Sequence, residues 1–259
     1  MTKKIIVVGD KFSEFSNGRD IITISQLDLI TQIPANIIDT ASQFIVGQGV
    51  REDYAGKVLD NQERNKHHEN KLDLTELQQL ATTGKNVHSH KELYHNILIG
   101  TAGRVSEDLY VMPLSIDERC ELMADHQTGK HIQGMILVEA SRQAFIAITD
   151  EFYMADNTVS TYYVINEMNM KFDNFLFPLP ALIYYELLEK DINERRSRFK
   201  AIVRISQHTT LCSSMDVSFT VYPSVVISER EEILATGMTH SVLQSKIDPS
   251  MAIKGSTHV

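Results

Sequence analysis

The chain has 259 residues, 42% of them hydrophobic and 23% charged, which is enough apolar material for one large or two modest globular domains. A formal charge of −9 and a sequence pI near 5.6 exclude the basic footprint that phosphate neutralisation requires, so no nucleic-acid partner is expected. The opening MTKKIIVVGD has an apolar run too short for an export signal or a membrane span, and the expectation is a cytoplasmic protein with no membrane partner.

Residues 3–10, KKIIVVGD, predict a buried strand ending in a turn. Thr23 or Ser25 then caps a helix through Leu27, Ile30 and Ile33 that stops before Pro34. A further apolar run, Phe44 to Val46, leads into GQG, and residues 1–85 read as a small α/β region. The dinucleotide fingerprint is not met: Gly47 and Gly49 supply G-x-G, but Glu52 stands where the third glycine belongs, and VVGDKF has a single glycine. Asp60 to Lys71, DNQERNKHHENK, has no apolar residue and predicts an exposed linker near 60–71 with His67 and His68 solvated. A short polar helix is expected over Leu72 to Leu80.

Leu93 to Gly100 and Leu109 to Leu114 predict two strands, parted by the turn-like Gly103–Ser106. Cys120 and Cys212 lack C-x-x-C spacing and read as structural thiols without a disulfide. From Gly134 to Thr149 the chain is apolar almost all the way round, as expected of a core helix. Its polar exceptions fall together, because Glu139, Arg142 and Gln143 at i, i+3 and i+4 share one stripe. The bland reading is a buried Glu139–Arg142 ion pair. The sharper reading is a catalytic cleft, since DHQTGKH delivers Asp125, His126 and His131 to the N-terminal end of the same helix, where the dipole and free N–H groups favour developing negative charge. The spacing of Asp125, His126 and His131 matches no helix-borne metal pair, and no metal is expected.

Met168, Met170 and Phe172 alternate with Glu167, Asn169, Lys171 and Asp173, which predicts a half-buried strand. After Pro178 and Pro180, extended runs over Ala181–Glu189, Phe199–Ile205 and Met215–Val221 complete four strands, read as a hairpin-connected meander round one helix. This is an α+β hotdog fold over residues 86–225, preceded by the small α/β region and followed by a C-terminal extension over 226–259. Its open sheet edge predicts a homodimer with the site at the interface.

VHSHKELYHNILIG at 87–100 and DHQTGKHIQGMILVEASRQA at 125–144 resemble the A-factor biosynthesis hotdog family, within the thioester-active hotdog superfamily, over roughly residues 86–225. Asp125–His126, His131, Gly134 and the run Glu139–Ala140–Ser141–Arg142–Gln143 carry the likeness, and His88 matches the family's leading Val-His. The family is linked to γ-butyrolactone-type signals made from a β-ketoacyl thioester and dihydroxyacetone phosphate. The resemblance therefore implies a thioester of acyl carrier protein or coenzyme A as donor, that phosphorylated alcohol as acceptor, and no cofactor. Attack of an alcohol on a thioester needs a base and oxyanion donors. His131 is the expected base and His126 the positioning group, although the Gly134-to-Glu139 spacing also resembles hydroxyacyl thioester dehydratases, where the histidine at the place of His126 is favoured. Glu139 is the expected acid/base partner, Arg142 the phosphate holder, Gln143 a donor and Gly134 the oxyanion site, with Asp125 and His88 also against substrate. A dehydratase, a thioesterase and a non-catalytic ligand-binding or assembly protein are the alternative readings.

Overall fold

β1 (Lys3–Val8), β2 (Ile21–Thr23), β3 (Ser42–Val46) and β4 (Leu72–Asp73) pair in parallel in the order β2–β1–β3–β4. The computed structural model describes residues 2–38, 40–67, 71–124, 129–155, 160–193 and 195–244. The strands are joined through α1 (Ser13–Ser16), α2 (Ile24–Gln32) and α3 (Glu52–Arg64), and α4 (Thr75–Thr83) follows the last. Thr23 starts α2 with a full capping box, its side chain accepting from the Gln26 N–H while Gln26 answers to the Thr23 N–H. Ile24 and Leu27, Ala55 and Val58, and Leu77 are the buried faces of α2, α3 and α4, and they share one core with Val7 and Phe44.

The exposed linker expected over 60–71 does not hold for the described residues 60–67. α3 runs on to Arg64, and Asn61, Gln62 and His67 are buried. These polar side chains are inside because each answers a polar partner: Asn61 donates to Asp28 at 2.7 Å, Gln62 to the Leu72 carbonyl at 3.0 Å, and His67 Nε2 meets the Thr31 carbonyl at 3.1 Å. His68 lies outside the described residues.

The second sheet consists of β5 (Gly103–Arg104), β6 (Leu109–Pro113), β7 (Thr161–Phe172), β8 (Leu182–Asn193), β9 (Arg196–Gln207) and β10 (Thr210–Pro223). All pairings are antiparallel, in the order β5–β6–β8–β9–β10–β7. The sheet packs against α5 (Gly134–Tyr153), giving the hotdog arrangement. Ala140, Ala144 and Ala147 are fully buried, and Phe145 stacks on Phe219, which stacks in turn on Phe199, with ring centroids 4.6 and 5.2 Å apart.

Three expectations need correction. The strands after α5 are not a simple meander, because β7 crosses to the far edge and pairs with β10, leaving β8 to pair with β6. Leu93–Gly100 is not a strand: it forms a short 3-10 turn at Tyr94–Asn96 and a single bridge, Ile99 to Leu114, while Gly103–Arg104 pairs as β5 instead of turning. The apolar face of β7 is not half-buried along its length, since Met168 and Phe172 are 37% and 55% exposed. Most of the extension is the exposed α6 (Ser224–Gln244), and residues 245–259 lie outside the described residues.

The two sheets meet at the ends of β1 and β3. In an open parallel sheet of this order that is the switch point, where a ligand crevice usually forms. Here the Gly9 N–H donates to Gln48 at 2.9 Å, the Gly49 N–H to Ile116 at 2.8 Å and the Gln48 N–H to Pro178 at 3.0 Å. A Cβ on Gly9 would collide with the Gly49 backbone, so the close crossing of the two segments requires glycine there. The buried Gln48 side chain completes the joint, donating to the Leu114 carbonyl at 3.0 Å and accepting from the Ile116 N–H at 2.9 Å. Gln48→Ala is expected to lower stability by about 2–4 kcal/mol, because it leaves a buried donor and a buried acceptor unmet. The midpoint of urea unfolding reports this, and an unchanged midpoint would remove Gln48 from the joint.

Candidate active site

A strap of chain from Lys85 to Gly100 lies along α5, and one buried amide fixes it there. Gln143 has no exposed surface; its oxygen accepts from the Leu98 N–H at 2.8 Å and its nitrogen donates to the Asn96 carbonyl at 2.9 Å. Three further side chains of the strap then meet the helix. Lys91 Nζ lies 2.7 Å from Glu139 Oε1, and His88 Nδ1 lies 2.7 Å from Asp150 Oδ2. His90 sits between these two residues with φ +53°, a left-handed conformation uncommon outside glycine, and faces Arg142 across a shared cavity. The strap is held at its start by Asn86, whose side chain accepts from the His88 N–H at 2.8 Å and donates to the Gly100 carbonyl at 3.3 Å.

Glu139 is the electrostatic centre. It pairs with Lys91, with Arg142 Nη1 at 3.2 Å and with Gln143 Nε2 at 3.2 Å. Burial pushes its carboxyl up, but the bonds from Lys91 and Gln143 and the charges of Arg142 and Lys91 outweigh that and hold it below the ordinary carboxylate value. It is therefore an ionised acceptor at neutral pH, not a stored proton. His90 keeps an open face to solvent, yet the atoms packed around it, then the Arg142 and Lys91 charges, push its imidazole below the usual range.

The stripe opens on a cavity of about 650 Å³ lined by His88, His90, Arg142, Asp150, Ile146 and Tyr163, among others. His131 and Gly134 lie elsewhere, in a separate cavity of about 420 Å³ with Leu137, Phe172 and Phe175. Five residues of helix turn Gly134 roughly 140° from Glu139, so the N-terminal end of α5 and the charged stripe face different ways. A Cβ at Gly134 would lie 3.0 Å from the Phe172 ring, and His131 packs on Phe175 with centroids 4.8 Å apart. The single cleft expected from sequence is thus divided: Glu139, Arg142, Gln143 and His88 come together, while His131 and Gly134 do not join them. Asp125 and His126 lie outside the described residues.

Sequence reasoning missed Lys91, His90 and Asp150. Asp150 was within reach, since it stands eleven residues after Glu139, three helical turns further along the same stripe. Among the described residues no group of three or more His, Cys, Asp or Glu side chains is placed to hold a metal ion, and no helix is long and apolar enough to cross a membrane. Cys120 and Cys212 are free and buried.

A family model described as the AfsA, A-factor biosynthesis hotdog domain matches residues 72–223, more than half of the chain. No curated protein matches the sequence. Solved structures that resemble it include a putative thioesterase from Shewanella oneidensis, at 10% identity and a TM-score of 0.41 over 52% of this chain and 92% of that one. The ApeI:P dehydratase heterocomplex from Xenorhabdus doucetiae matches at 15% identity and 0.41, over 53% of this chain and 88% of that one. A mutant thioesterase from Pseudomonas aeruginosa matches at 13% and 0.36, over 48% and 81%.

The depressed Glu139 carboxyl has a pH signature. Its contribution to stability is fully present above the ordinary value of 4.5 and is lost as pH falls through its lower folded value. Thermal melts of wild type and Glu139→Gln should therefore differ most at neutral pH and converge in acid. A gap that widens as pH falls would show that Glu139 is protonated in the folded protein.

Proposed function

The chain belongs to the A-factor biosynthesis hotdog family, and on that premise we propose that it transfers a β-ketoacyl group from a thioester of acyl carrier protein or coenzyme A to the hydroxyl of a small phosphorylated alcohol such as dihydroxyacetone phosphate. The observation that supports this best is the setting of Arg142. Its guanidinium is held by an ionised Glu139 and lines a cavity with His90, an arrangement of nitrogen donors suited to a phosphate. Dehydration by the same groups is less well supported, because it asks a proton of Glu139, and Lys91 and Arg142 keep that carboxyl ionised.

The N-terminal N–H groups of α5 near Gly134 are the oxyanion donors in this reading, with His131 beside them. Their separation from Glu139 in one chain is accounted for if a second copy completes the site. The surface we assign to that copy is the outer edge of β7, twelve residues long, with Tyr162, Ile165, Met168 and Phe172 exposed along it.

Purified protein given a β-ketoacyl thioester should release thiol only when the phosphorylated alcohol is present, with the ester seen by mass analysis, and should run as a dimer in light scattering. Arg142→Met should raise the KM for the alcohol on the order of tenfold or more while sparing that for the thioester. Thiol release that ignores the alcohol would identify a thioesterase, and loss of water from a hydroxyacyl thioester a dehydratase.

A further inference from the structure

We propose that His88, oriented by Asp150, is the general base of this acyl transfer, in place of His131. The inference rests on the thioester reading above and names the proton acceptor within it. Asp150 Oδ2 lies 2.7 Å from His88 Nδ1, so the carboxylate takes the Nδ1 proton as a hydrogen bond and leaves Nε2 as the basic nitrogen. No described residue hydrogen-bonds that Nε2. The Asn86 side chain fixes the His88 backbone, and the Gln143 amide fixes the strap that carries it. Both members of the pair line the 650 Å³ cavity that Arg142 and His90 also line. His131 lines the other cavity, which Arg142 does not reach.

A purely structural role explains less. The two side chains are 37% and 44% exposed, and ion pairs at that exposure contribute little to stability. Such a pair at the wall of a cavity is better placed for proton transfer than for holding the fold.

In the step assigned to it, His88 Nε2 takes the proton of the alcohol as the alcohol oxygen bonds to the thioester carbonyl carbon. The tetrahedral oxyanion then re-forms its carbonyl, the carbon–sulfur bond breaks, and the departing thiolate takes the proton back from the imidazolium. Thioester and alcohol become ester and thiol, with the base restored.

The test uses the full chain. His88→Gln and His88→Ala should lose on the order of a hundredfold or more in kcat with KM little changed, and added imidazole should restore part of the activity of His88→Ala. Asp150→Asn should also lose kcat, and Asp150→Glu should regain part of it, a rescue that simple loss of packing would not give. Nitrogen NMR of the histidine rings should show His88 protonated on Nδ1 in wild type and redistributed in Asp150→Asn. Turnover in His88→Gln within threefold of an active wild type, or a His88 ring protonated on Nε2 alone, would overturn the assignment. Should wild type turn over no thioester at all, the acyl-transfer reading is what fails. The dyad is then judged by acetoacetyl-coenzyme A added to labelled protein: a shifted His88 signal with His131 unmoved keeps it as a ligand-facing pair, and an unmoved His88 removes it.

Discussion

A single buried amide sets the terms for the candidate site. Gln143 sits on the sheet-wrapped helix with no solvent contact, where an unmet amide is expensive, and beyond its bond to Glu139 it is satisfied by backbone from elsewhere in the chain. The carbonyl of Asn96 and the N–H of Leu98 supply that backbone, which commits the preceding residues to run along α5. The ion pairs between strap and helix follow from this placement. Lys91 comes within reach of Glu139 and His88 within reach of Asp150 because the chain between them and Leu98 has a fixed end.

Glu139 then does the work of an anchor. A half-buried carboxylate with a lysine, an arginine and an amide around it holds the arginine in one orientation, and an oriented guanidinium is the part of such a cluster that can receive an external anion. The ion pair expected on structural grounds exists, and it is also the device that aims Arg142 into the cavity.

The sequence shows some of this plainly and conceals the rest for identifiable reasons. The core helix, its stripe and the capped α2 are local patterns, and period and cap chemistry find them. Leu93–Gly100 misleads because Leu93, Ile97 and Ile99 alternate like a strand, while the backbone there is satisfied partly by a side chain on a helix, which periodicity cannot report. Asn61, Gln62 and His67 mislead because polar residues count as exposed in any composition argument, although their partners are Asp28 and the carbonyls of Leu72 and Thr31. The crossover of β7 is invisible for another reason: an alternating strand pairs as well with a distant neighbour as with the next one. Splitting Gly134 from Glu139 follows from helix geometry, and the five-residue spacing that suggests a motif also places the two ends on different faces.

The joint between the two sheets bears on how such a unit can be inherited. The stretch that resembles other hotdog domains begins at Leu72, which is the first residue of β4 and pairs with Ser42 of the parallel sheet. Leu72, Leu74 and Leu77 lie in the core of that sheet, not in the core around α5. A hotdog moved into another protein from residue 72 onward would thus carry away the wall of a neighbouring room, with three leucines facing water and the Ile116 N–H without Gln48. In this chain the stretch recognisable by sequence and the stretch that holds all its packing partners are different lengths of polypeptide, and gene rearrangement would have to respect the longer one.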